Sequence, residues 1–173
     1  MNRITALAFA ATSVVSAGCT TPAFEPVPET LRPAGERLAM TVPARGVQIY
    51  ECRARKDGGF DWAFVAPDAE LFDTKARPIG RHGAGPFWQA SDGSRVVGTL
   101  KARADAPQAG AIPWLLLTTK SAGPAGDFSR VTSIQRINTT GGIAPSAPCT
   151  AGLQGSTARV PYTADYLFFR SQP

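Results

Sequence analysis

The stretch "VPYTADYLFF" (Val160–Phe169) places Val160, Tyr162, Ala164, Tyr166 and Phe168 on one side of an extended chain, the period of two that marks a strand with one buried face. Its other side, Pro161, Thr163, Asp165, Leu167 and Phe169, mixes polar and apolar groups. Working outward, "RVVGTLKARA" (95–104) aligns Val96, Gly98, Leu100 and Ala102 against Arg95, Thr99, Lys101 and Arg103, with only Val97 out of pattern. "FDWAFV" (60–65) aligns Phe60, Trp62 and Phe64. "GVQIYECRA" (46–54) and "FSRVTSIQRIN" (128–138) are strand-like with polar residues on both faces. "AIPWLLLTT" (111–119) is apolar on both sides, as a doubly covered strand would be, with Pro113 implying a bulge or edge.

No segment keeps apolar residues at helical spacing over three turns, and turn-rich spacers separate the runs: "RKDGG", "SDGS", "SAGPAGD" and "TTGGIAPSAP". The pattern predicts an all-β fold, a single-domain sandwich or barrel of eight to ten mostly antiparallel strands. Asp92-Gly93, between "PFWQA" and "RVVGTLKA", is a hairpin turn signal. It accounts for most of "RHGAGPFWQASDGS" (81–94) but leaves His82, the chain's single histidine, and Trp88 without a turn role. These two are expected at the rim of a shared cleft.

The N-terminus reads as an export signal. After Arg3, residues 4–17 are uncharged and mostly apolar, suited to a leader's hydrophobic core and too short to span a bilayer. Ser16-Ala17-Gly18-Cys19 resembles a bacterial lipobox with Ser16 where leucine is usual. Residues 1–18 are therefore expected to be a signal peptide and Cys19 the lipidated first residue of the mature chain; cleavage after Ala17 is the alternative. Residues 19–35, with prolines at 22, 26, 28 and 33, read as a tether, and 36–173 as the β domain. The mature chain of about 155 residues is long enough for one core. The expected location is the cell envelope, anchored to the membrane through Cys19 and facing the periplasm or the cell exterior.

With Cys19 acylated, Cys52 and Cys149 remain, and two cysteines in an oxidising compartment usually pair; two buried free thiols are the alternative. The 18 Lys and Arg against 13 Asp and Glu give a formal +5, including Arg3 of the leader. That mild excess suits an anionic envelope ligand or simply a solvated surface. No basic run or zinc-knuckle spacing points to nucleic acid.

Five stretches in order, "GVQIYECRA", "GPFWQASDGSRVVG", "AIPWLLL", "VTSIQRINTTGG" and "VPYTADYLFF", resemble the exported family known as domain of unknown function 3455. The resemblance covers about residues 36 to 170 and implies cysteines at the positions of Cys52 and Cys149. Family members often carry glutamate where this chain has Gln89, which speaks against essential acid–base chemistry there. Some relatives carry a malate dehydrogenase label. The residues argue against it: there is no G-x-G-x-x-G, no βαβ alternation, and one histidine.

No cofactor is expected, and no metal: H-x-x-x-H, C-x-x-C and EF-hand patterns are all missing. The leading expectation is a β domain that binds a small or amphiphilic ligand, or an envelope partner. Candidate lining residues are His82, Trp88, Trp114 and Tyr50, with Phe87 nearby, and Arg136 as a cation paired with Asp165. The second is a small exported hydrolase or isomerase using His82 with a carboxylate. The third is a purely structural interaction domain.

Overall fold

Each strand pairs antiparallel with the next, and the last pairs with the first, so the sheet closes on itself. The computed structural model describes residues 26–172. Cys19 and the signal sequence lie outside the described residues. The strands are β1 (Glu36–Ala54), β2 (Phe60–Phe72), β3 (Pro78–Gly83), β4 (Phe87–Ala90), β5 (Arg95–Ala104), β6 (Trp114–Ser121), β7 (Ser133–Gly141) and β8 (Thr157–Ser171). Two short 3-10 turns, Glu29–Leu31 and Ala151–Leu153, complete the described elements. The two architectures expected from the sequence thus resolve to a barrel of eight strands, which leaves no edge strand open for aggregation.

Eight strands make an interior just wide enough to fill with side chains or to hold one small ligand. This barrel does one at each end. At one end, Val42, Leu71, Val96, Ile134 and Phe168 fill the core, and Phe128 and Val131 of the β6–β7 loop plug it. Phe128 meets Phe168 edge-on with ring centroids 4.9 Å apart.

The Asp92-Gly93 turn holds that plug in place. Gly93 has φ +87°, a left-handed conformation that a β-branched residue resists. Asp92 does more than turn the chain. One of its oxygens accepts from the Ser94 N–H (2.8 Å) and hydroxyl (2.6 Å), the other from the Asp127 N–H (2.8 Å). Ser94 Oγ in turn accepts from the N–H of Phe128 at 3.0 Å. These bonds hold the Asp92 carboxyl below the usual carboxylate range, its Ser94 contact contributing most.

The other end is the mouth, where the β1–β2, β3–β4, β5–β6 and β7–β8 connections gather. Cys52 and Cys149 are joined in a disulfide with Cα atoms 5.5 Å apart, binding the mouth end of β1 to the β7–β8 loop. The Trp62 indole N–H donates to the Ala147 carbonyl (2.9 Å), and Tyr50 Oη donates to the Gly142 carbonyl (2.7 Å), fastening the same loop.

Register slips near the mouth change which residues face inward. In β2, the register slips opposite Ile49 and Tyr50, leaving Val65 unpaired. In β5 it slips between Leu100 and Ala102, leaving Lys101 unpaired. The β5 slip overturns part of the simple alternation: Arg103 opposes Leu115 on the inner face, while Ala102 and Ala104 go outside. Bulges at a barrel rim re-aim side chains in this way.

Outside the wall, Leu31 is fully buried with Trp114, Leu116 and Ile137, and Val27 packs beside them. The buried Gln135 side chain donates to the Leu31 carbonyl at 2.6 Å. Residues 27–31, read from the sequence as tether, thus lie against the barrel, and this explains why β6 is apolar on both faces.

Candidate functional site

Two connected chambers occupy the mouth end. The narrower, about 140 Å³, reaches from the β3–β4 turn at Gly85 and Pro86 down to His82, Trp88, Leu117 and Tyr166. The wider, about 440 Å³, is lined by Tyr50, Leu100, Arg103, Pro113 and Ile143. Gln48, Phe64, Leu115 and Arg136 line both.

The aromatic floor follows from alternation and register. His82 of β3 opposes Trp88 of β4, and their rings stack at 4.3 Å with an interplanar angle of 16°. Tyr166 meets both edge-on, at 5.1 and 5.4 Å. Gly98 makes room for the indole: a Cβ there would come within 2.8 Å of the Trp88 ring and 3.1 Å of Leu117.

His82 is not at a rim, as the sequence suggests. It is only 3% exposed, on the inner floor, because β3 alternates Gly80 and His82 inward. Its Nδ1 lies 2.7 Å from the Phe87 carbonyl. A carbonyl only accepts, so Nδ1 carries the proton and the ring is held in one tautomer. Burial pushes the His82 pKa down to about 3, and the ring is neutral at physiological pH. The hydrogen bond found at this ring among the described residues goes to backbone, not to a carboxylate or serine.

Arg136 is the charge at the centre. It projects inward from β7, opposite Leu115 and Tyr166, and its Nε and Nη2 donate to the Pro113 carbonyl at 3.1 and 2.8 Å. Among the described residues, its guanidinium makes no salt bridge. Burial raises the phenol pKa values of Tyr50, Tyr162 and Tyr166, and the positive field of Arg136 opposes the rise in all three. The Tyr162 and Tyr166 hydroxyls lie 3.3 Å apart. Among the described residues, Gln48, 2% exposed, keeps its Nε2 without a hydrogen-bond partner, as does the Trp88 indole N–H. Buried donors are nearly always satisfied in folded proteins, and these two exceptions belong to residues that line the chambers.

Of the residues expected to form a site, the structure brings together His82, Trp88, Tyr50 and Arg136. It separates three others. Trp114 lies on the outer wall beneath Leu31. Phe87 also points outward, beneath the Arg95 guanidinium at 4.0 Å. Asp165 faces out between Pro43 and Ile137 and accepts from Asn138 Nδ2 at 2.8 Å. The Asp165–Arg136 pair is therefore corrected: adjacent positions in the β7–β8 register put the two side chains on opposite sides of the wall. Gln48, Phe64, Tyr166 and Arg103 were not singled out from the sequence. Gln48 was findable, as a polar residue in the inward row Val42, Ala44, Gly46, Gln48, Tyr50.

Among the described residues, no three His, Cys, Asp or Glu side chains gather in a way that could hold a metal ion. No described helix is long and apolar enough to cross a membrane.

The fold and the site define a closed eight-stranded antiparallel barrel with a polar-centred cavity at one end. The chain belongs to the family described as protein of unknown function (DUF3455), whose model matches residues 33–170. No curated protein and no solved structure matches it.

Proposed function

We propose that this chain is an exported, lipid-tethered envelope protein whose barrel takes up one small amphiphilic ligand through its mouth. The observation that carries the reading is the cavity itself. An aromatic and aliphatic wall surrounds an arginine and a buried amide that, among the described residues, have no carboxylate partner and no acceptor respectively. Small-molecule sites have this composition: mostly apolar lining with a few convergent polar groups. A solid structural barrel would have closed that space with side chains, as the opposite end does.

The mouth suits an amphiphile arriving from a membrane. Phe64, Val65, Leu100, Ile143 and Leu153 are exposed large apolar residues, all near this end. Export is supported by the apolar leader before Cys19 and by the disulfide, a bond that persists in oxidising compartments. The hydrolase or isomerase alternative gains nothing from the site, because His82 hydrogen bonds to backbone rather than to a carboxylate.

Native mass spectrometry of protein purified from its own envelope tests this reading. The expected spectrum shows an added mass that leaves on denaturation, with acyl chains on Cys19. A ligand-free barrel that also gains no mass from added envelope lipid extract would refute the binding role.

A further inference from the structure

We infer that the ligand is a monoanion with a compact apolar body, its acidic head held by Arg136 and Gln48 and its body seated over His82 and Trp88. The inference rests on the ligand-binding reading above and adds the chemistry of the ligand. Three observations lead to it.

The first is charge. Arg136 lies where the two chambers meet and is fixed by two hydrogen bonds to one backbone carbonyl, so it cannot swing out to solvent without breaking both. A guanidinium has five N–H donors; two go to Pro113, and the side chain lines both chambers beside Tyr166. Arg103 adds a second cation on the wall of the wider chamber. Neither arginine forms a salt bridge among the described residues. A cationic ligand is repelled here, and a neutral one leaves the guanidinium uncompensated.

The second is the Gln48 amide. It is almost fully buried, lines both chambers as Arg136 does, and among the described residues has an Nε2 without a partner, which a turn of the amide would present to the chamber. An oxyanion accepting from both Arg136 and Gln48 satisfies the charge and the orphaned donor together. Hydrogen bonds to an ionised group are about twice as strong as neutral ones.

The third is size. The chamber beneath the head position is about 140 Å³, close to the roughly 150 Å³ of an engineered apolar cavity that holds benzene. Its floor is the stacked His82–Trp88 pair, with Leu117 and Tyr166 at the sides. A ring or short branched chain fits that space, and a long straight chain does not fit within it.

Calorimetric titration with three probes of one shape separates the claims: 3-phenylpropanoate, 3-phenylpropanol and 3-phenylpropylamine. The acid is expected to bind at least tenfold tighter than the alcohol, and the amine not at all. Arg136→Gln should bring the acid down to the level of the alcohol while leaving alcohol affinity in place. Circular dichroism shows whether that variant keeps its fold, and Gln48→Leu gives an independent loss of acid preference if it does not. If the alcohol binds wild-type protein as tightly as the acid, the head-group assignment is wrong and the binding site stands. If none of the three binds, the inference fails, and the native mass spectrum with envelope lipid extract decides the ligand-binding reading separately.

Discussion

Breaking the Cys52–Cys149 bond, by reductant or by Cys52→Ala, is expected to lower the melting temperature on the order of 10 °C. The bridge closes a loop of 97 residues, and constraining a loop of that length in the unfolded chain is worth about 4 to 5 kcal/mol. The loss should be local as well as global. The β7–β8 loop would keep the Trp62–Ala147 and Tyr50–Gly142 bonds but not its covalent hold on β1. Ile143 and Ala144, which line the wider chamber, should then gain mobility, and probe binding should weaken beyond what the melting shift alone explains. Paired thermal melts and titrations with and without reductant check both effects. An unchanged melting temperature would mean that the barrel seam between β8 and β1 holds the mouth without help.

The second large effect is proton-linked. His82 is buried and neutral, with its pKa pushed down to about 3 chiefly by burial, whereas in the unfolded chain it titrates near 6.5. As pH falls below about 6.5 the unfolded state takes up the proton and the folded state does not. The stabilisation is therefore complete above that pH and lost progressively down to about 3. The loss is about 2 kcal/mol by pH 5 and about 5 kcal/mol at the acid limit. His82 is the chain's one histidine, and Asp57, Asp73 and Asp92 have carboxyl pKa values below the ordinary range. The window from pH 7.5 to 5 thus isolates this ring. Urea unfolding at the two pH values should show the drop in the wild type and little of it in His82→Gln. An equal drop in both would place the proton uptake elsewhere. Burial also means that His82→Ala should destabilise the fold, unlike removal of a rim histidine.

Much of the barrel was legible because inward and outward rows alternate cleanly where one face meets the core. Val160 to Phe168 and the Asp92-Gly93 hairpin are the clearest cases. What could not be read was which face turns inward where both are apolar, or where a bulge shifts the phase. Trp114 and Leu115 look alike in sequence, and the buried Leu31 decides that Trp114 belongs outside. Lys101 looks like any strand residue, yet its unpaired position brings Arg103 into the cavity. Asp165 and Arg136 are close in register but lie across the wall, and a charge pattern alone carries no information about that wall. The site was thus half visible: His82, Trp88, Tyr50 and Arg136 were in the sequence, while Arg103 and the freedom of Arg136 from Asp165 needed the closed sheet.

The three tryptophans offer the most direct test of the ligand site. Trp88 forms the cavity floor, Trp114 lies outside the wall, and Trp62 hydrogen bonds at the rim. Their indole N–H resonances can be followed by nuclear magnetic resonance while 3-phenylpropanoate is added. Binding inside the mouth predicts saturable shifts of the Trp88 indole and the Arg136 Nε–H, with Trp114 unmoved. Shifts confined to Trp114, or no shift of Trp88 when the acid is shown to be bound, would contradict an interior site.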